Sequence, residues 1–185
     1  MPEYSLEEIT SDDFDRLAEI ALNYYKEKGY PAPLLICLCQ GAALHYAYGK
    51  LKRGGGFDFD AHRVKKMVGK AKRYQRGPGV KDFDVWSFFL HKNETDWDCP
   101  YRGTRSREFG ESKFGKDPTG SKFEWRKADI FGRSIVPSAL KRKPEVAVVD
   151  WLANSRNPSP TKLRNKPAVI IWPKRKQGTI IWPLK

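Results

Sequence analysis

The sequence predicts an α/β (α+β) protein: a small, mixed, twisted sheet with flanking helices packed against one side, closed by a C-terminal β-hairpin. Three observations predict it. Apolar residues near the N-terminus recur at helical spacing. The run Leu34-Leu35-Ile36-Cys37-Leu38-Cys39 is apolar without interruption, as a strand buried on both faces requires. Residues 80–90 alternate with period two. At 185 residues the chain fits a single domain with a real core.

Thr10 with Asp13 three residues later has the pattern of a capping box, and Phe14, Leu17, Ala18, Ala21, Leu22 and Tyr25 follow at helical spacing until Gly29. This predicts a first amphipathic helix. Pro31 and Pro33 break the chain ahead of the apolar run, which reads as a central strand. Gln40-Gly41 then leads into residues 42–48, good helix formers closed by Gly49, so strand, tight turn and helix follow without a spacer.

Residues 53–79 differ in composition and read as an insertion. Gly54-Gly55-Gly56 opens the stretch and Gly77-Pro78-Gly79 closes it; between them stand Arg63, Lys65, Lys66, Lys70, Lys72, Arg73 and Arg76, with no acid over 61–76. Residues 61–74 fit one basic helix behind an Asp60 cap, with Val64, Met67, Val68 and Ala71 along one side. In the next strand Phe83, Val85 and Phe89 alternate against Asp82 and Asp84, so the two aspartates share a side. Residues 92–121 read as a long loop, and 123–131 as a strand with Asp129 near its end. Pro144 starts a helix through Val146, Val149, Trp151 and Leu152, and Pro160 starts a shorter one. The pieces Val169-Ile170-Ile171-Trp172-Pro173 and Thr179-Ile180-Ile181-Trp182-Pro183, joined across Gly178, predict the hairpin.

A hydrophobic share of 39% with 13% aromatic residues excludes a disordered chain despite 31% charged residues. Lys plus Arg number 35 against 22 Asp plus Glu; the net charge of +13 points to an anionic partner, nucleic acid first, although Lys-rich surfaces also serve solubility alone. Cys37, Cys39 and Cys99 are odd in number and lack a CxxC spacing, so they read as reduced, packed thiols. The N-terminus is polar and acidic, and the apolar runs fall short of the ~20 residues that span a bilayer. The expected compartment is the cytoplasm, with no membrane partner.

Aspartates at i and i+2 on one strand aim both carboxylates to one face, and such an oxygen pair suits octahedral magnesium alongside water and phosphate oxygens. A third carboxylate completes a two-metal arrangement for in-line displacement at phosphorus. An isolated pair of this kind is common on surface strands, so its neighbours decide.

Those neighbours carry a resemblance. The apolar strand, QGAALHYAYG (40–49), GVKDFDVWSFF (79–89) and FEWRKADIFG (123–132) together resemble the nucleotidyltransferase fold of the DNA polymerase beta superfamily, most of all its stand-alone members, over roughly residues 34–132. The resemblance implies Asp82 and Asp84 as metal ligands, with Asp129 as the third metal-binding carboxylate and activator of the acceptor hydroxyl. It implies Gln40, Gly41 and Ala42 as the nucleotide-binding turn and two magnesium ions as cofactors. The implied reaction moves a nucleoside monophosphate from a nucleoside triphosphate to a hydroxyl or phosphate acceptor, RNA among the candidates. Two features depart from the family pattern. Gln40-Gly41-Ala42 stands where Gly-Gly or Gly-Ser is usual, which removes a hydroxyl that meets the terminal phosphate. The basic insertion lengthens a connection that minimal members keep short, and its seven cations form a stripe suited to an RNA or DNA backbone.

The same residues admit other readings. Asp82 with Glu124 and Lys127 can be drawn as the hydrolytic site of a metal-dependent nuclease. A nucleotidyltransferase-like module that has lost catalysis would bind nucleotide or nucleic acid. Most plainly, Asp82 and Asp84 would be a solvated strand face beside Lys81, and Asp129 would pair with Arg126 or Arg133. His45, His62 and His91 lack metal-ligand spacing and read as structural; Trp86, Trp125, Trp151, Trp172 and Trp182 read as core or rim.

Overall fold

Helix α1 (Ser11–Glu27) begins behind Thr10, whose backbone N–H and hydroxyl both donate to the Asp13 carboxylate at 2.7 and 3.1 Å. It ends in a Schellman arrangement. The Tyr30 N–H reaches the Tyr25 carbonyl at 2.9 Å and the Gly29 N–H reaches the Lys26 carbonyl at 3.0 Å, with Gly29 in the left-handed region at φ +70°. The computed structural model describes residues 8–52, 62, 65–66, 80–90, 103–110, 113–116, 125–135, 143–148 and 166–181.

Six strands form one mixed sheet: β1 (Leu35–Cys39), β2 (Phe83–Leu90), β3 (Gly103–Glu108), β4 (Lys127–Ile135), β5 (Ala168–Trp172) and β6 (Ile180–Ile181), in the order β3-β4-β2-β1-β5-β6. β2 and β4 run parallel, and every other neighbouring pair is antiparallel. Helix α2 (Gln40–Lys52) follows β1 directly.

Period two sorts the strand residues between two cores. On the first face Ile36, Leu38, Phe83, Val85, Phe89, Ala128, Ile130, Val169 and Ile171 pack under α1, through Phe14, Leu17, Ala18, Ala21 and Tyr25, and under Ala42 and Ala43 of α2. Burying each of the large side chains on α1 contributes about 1.5–3 kcal/mol, and this holds the helix to the sheet. On the second face Leu35, Cys37, Cys39, Trp86, Phe88, Ala168 and Ile170 pack with Ala147 and Val148, from the helical residues 144–148. Helices therefore cover both faces of the sheet, where the apolar patterning led us to expect one.

Other expectations need correction. Gly49 lies inside α2 instead of closing it. A mid-helix glycine costs only about 1 kcal/mol, and packing on either side sustains the turn: the Tyr46 ring meets Phe14 edge-on at 5.0 Å and Lys50 Nζ reaches the Gly178 carbonyl at 3.5 Å. The segment read as a long loop contains β3, whose sequence GTRSRE has no apolar period because it is an edge strand held by backbone pairing to β4. β4 starts at Lys127, four residues later than expected, so Asp129 stands near its beginning and not its end. Its buried positions Ala128, Ile130, Gly132 and Ser134 include small and polar residues that carry little strand signal.

The hairpin forms as expected from β5 and β6, with Gly178 at φ +83° in the connection and its Cβ direction 3.3 Å from the Tyr46 hydroxyl. Cys37 and Cys39 are buried free thiols, and burial pushes Cys37 up to about 12. His62, Lys65 and Lys66 are helical and exposed. The remaining residues of the basic insertion, residues 149–165, residues 182–185, His91, Cys99 and Glu124 lie outside the described residues. Among the described residues no helix is long and apolar enough to cross a membrane.

Candidate functional site

Asp84 and Asp129 are register partners on the parallel strands β2 and β4. Parallel neighbours lie about 4.8 Å apart, and both residues alternate with members of the first core, so their carboxylates stand side by side on the second face. Asp82, two residues before Asp84 and roughly 6.6 Å along the same edge, precedes the first residue of β2. The three acids predicted from the sequence are thus brought together at one end of the sheet, all half-buried.

Their surroundings fix the backbone that carries them. Trp86 and Phe131, next along the same face of the two strands, stack at 4.6 Å with planes 8° apart, and the Arg133 guanidinium lies 5.0 Å from the Trp86 ring centre. Arg126 is buried, donating from Nε to the Phe114 carbonyl at 2.8 Å and from Nη1 to the Lys81 carbonyl at 3.0 Å. It clamps the chain one residue before Asp82. Asp129 accepts at Oδ1 from the Ser106 hydroxyl, on its register partner in β3.

The electrostatics follow from this crowding. Burial first, then the negative charges of Asp82 and Asp129, push the Asp84 carboxyl from its ordinary 3.8 up to about 7, against the opposing pull of Lys166 and Lys127. Burial, Cys37 and the Asp84 charge likewise raise the neighbouring Cys39 thiol. Cys39 is the register partner of Asp84 across β1, so the chain leaves β1 beside the acids.

That exit is the Gln40-Gly41-Ala42 turn. Gln40 sits at φ +55°, a left-handed conformation that costs a non-glycine residue about 1–2 kcal/mol. Strain of this kind permits a sharp reversal, so that α2 starts directly at the end of β1, where Cys39 is the register partner of Asp84. Gly41 is exposed, and a Cβ there would meet nothing within 4 Å, so the space beside it is open. On the far side of β1, the Leu38–Val169 register carries the start of β5 alongside the turn, and Lys166 stands there two residues before the strand.

Sequence reasoning singled out the three acids that the structure brings together and the turn that follows β1. It missed Lys166 and Ser106: the first is distant in the chain with no motif around it, and the second lies in the segment read as loop. Of the proposed nucleic-acid residues, Lys65 and Lys66 are exposed on helical backbone, whereas Arg63, Lys70, Lys72, Arg73 and Arg76 lie outside the described residues, as does Glu124 of the nuclease alternative.

Among the described residues no three His, Cys, Asp or Glu side chains are drawn together tightly enough to enclose an ion as they stand. The donors nevertheless suit magnesium. They are hard carboxylate oxygens on adjacent strands, mutually repelling, and magnesium is commonly held by one or two carboxylates with water and substrate phosphate completing the octahedron. No protein-family model, no curated protein and no solved structure matches the chain, so the reading of this site rests on its own residues.

Proposed function

We propose that the protein is a nucleotidyltransferase that moves a nucleoside monophosphate from a nucleoside triphosphate to a hydroxyl or phosphate acceptor. The observation that carries this reading is the pairing of Asp84 with Asp129 across β2 and β4, with Asp82 two residues before Asp84. Ionising Asp84, buried beside Asp82 and Asp129, costs stability, and a divalent cation with a polyphosphate is a ligand that offsets this cost.

The chain's own residues divide the work. The amides opening α2, with the open space at Gly41, receive the phosphates, and Lys166 adds positive charge where the family's turn would offer a hydroxyl. Asp82 and Asp84 hold the cation, which when bound offsets charge on the transferred phosphate and the departing pyrophosphate. The acceptor oxygen bonds to the α-phosphorus as the bond to the pyrophosphate oxygen breaks, and Asp129 takes the acceptor's proton. RNA as acceptor rests on the net charge of +13 and the cationic stretch 61–76.

The test incubates the pure protein with each labelled nucleoside triphosphate, magnesium and total cellular RNA, beside an Asp82→Asn, Asp84→Asn double variant. Label transfer with pyrophosphate release, lost in the variant, supports the reading. Shortened RNA in place of labelled RNA would indicate a nuclease. Salt-sensitive RNA binding by both forms, without transfer, would indicate a binding module.

A further inference from the structure

Asp129 is the acid farthest from the turn, and what holds it lies on the edge strand. β3 pairs antiparallel with β4 in a register that sets Ser106 against Asp129, and the Ser106 hydroxyl donates to Asp129 Oδ1. The next residue of β3, Arg107, points away: it lies on the first face with its guanidinium 5.0 Å from the Tyr24 ring centre of α1. Ser106 thus links the polar edge strand to the acid cluster, and alternation along β3 places it there.

We propose that Ser106 is a positioning residue for Asp129, fixing the carboxylate so that Oδ2 remains available to cation and acceptor. This rests on the nucleotidyltransferase reading of the site. The physical need is specific. Asp129 stands beside Asp84, and the two carboxylates repel across about 4.8 Å of sheet spacing. A free side chain would turn toward solvent at the sheet's end. One hydrogen bond from the edge side occupies Oδ1, selects the rotamer and leaves the second oxygen facing the site. Supporting hydrogen bonds of this kind commonly matter by about 10–100-fold in metal affinity or activity when removed.

The test uses the full chain with manganese as the probe, free Mn2+ being counted by electron paramagnetic resonance, alongside the kcat and KM of transfer. Four proteins are compared: wild type, Ser106→Ala, Ser106→Thr and Asp84→Asn. Ser106→Ala is expected to bind Mn2+ about tenfold more weakly with kcat reduced and the KM for nucleotide little changed, and Ser106→Thr to restore both, because threonine keeps the hydroxyl and suits a strand. Thermal unfolding of Ser106→Ala within a few degrees of wild type excludes a general folding defect. Mn2+ affinity and kcat of Ser106→Ala equal to wild type, while Asp84→Asn loses both, overturns the role of Ser106 and leaves the site reading intact. A Thr variant as defective as the Ala variant overturns it as well. A wild type that binds no Mn2+ removes the site reading itself, and this inference with it.

Discussion

Replacing Asp84 with Asn should make the protein more stable at alkaline pH while abolishing its proposed activity. The folded chain holds the Asp84 carboxyl at about 7, against an ordinary 3.8, chiefly through burial and then through Asp82 and Asp129. A carboxyl whose folded pKa lies above its unfolded value binds more protons in the fold, so stability falls as pH rises. The loss begins near pH 4, grows through pH 7 and is complete above it. A gap of about three pH units at about 1.4 kcal/mol each sets a ceiling of roughly 4 kcal/mol. The asparagine amide must find its own partners in a half-buried place, and about half that ceiling, roughly 2 kcal/mol, is the expected gain. For a chain of this size that corresponds to about 4–8 °C in Tm.

The assay is thermal and urea unfolding of both proteins at pH 8, 5 and 4, in low salt with EDTA. Asp84→Asn should exceed wild type at pH 8, lose more than half of that advantage by pH 5, and show none at pH 4. Millimolar magnesium at pH 8 should then raise the Tm of wild type and not of the variant, because only the intact acids bind it. A variant less stable than wild type at pH 8, or one whose advantage does not change with pH, would refute the crowding argument and remove the energetic reason for a cation.

Two further outcomes test the frame around the acids. Gln40→Gly should stabilise the chain by about 0.5–1 kcal/mol in urea unfolding, since glycine adopts the φ of +55° without the steric cost that glutamine carries, and a loss would mean that contacts of the Gln40 side chain outweigh the strain. With Cys99→Ser as background, Cys37 and Cys39 should react with a thiol reagent at pH 8 at least about 100-fold more slowly than an exposed cysteine, because burial raises both thiols, Cys37 to about 12; reaction at the free rate would mean that the second face of the sheet is open.

What the sequence disclosed depended on how strongly burial imprints a period. α1 carries both a cap and an apolar stripe, and β1 is buried on two faces, so neither had a competing interpretation. β2 alternates around Asp82 and Asp84 because one side must feed the first core, and this alternation also placed the acids correctly. β3 is an edge strand whose polar residues answer to pairing and not to burial, and no local pattern marks it. The start of β4 slipped because Phe123 and Trp125 are as strand-like as the residues that follow, while Gly132 and Ser134, buried within the strand, are not. Lys166 and Ser106 join the site only through register, a relation between distant segments that local reading does not reach.

The charge pattern bears on which proposed function is the more economical. A module that only binds nucleic acid gains nothing from three clustered carboxylates, since they repel the phosphates that the net charge of +13 attracts. Ionised Asp84 also costs stability, chiefly through its burial and then through Asp82 and Asp129, which together raise its carboxyl to about 7. Both costs turn into assets when a divalent cation sits between acid and phosphate: the long-range positive field gathers the polyanion, and the local negative cluster converts cation affinity into a fixed position for the reacting phosphorus. The strained turn at Gln40 fits the same logic, because it follows Cys39, the register partner of Asp84, at a backbone cost that a passive basic surface has no reason to carry. On the proposed reading, the acids, the turn and Lys166 share one use in phosphoryl chemistry, whereas plain electrostatic adhesion would use only the positive field.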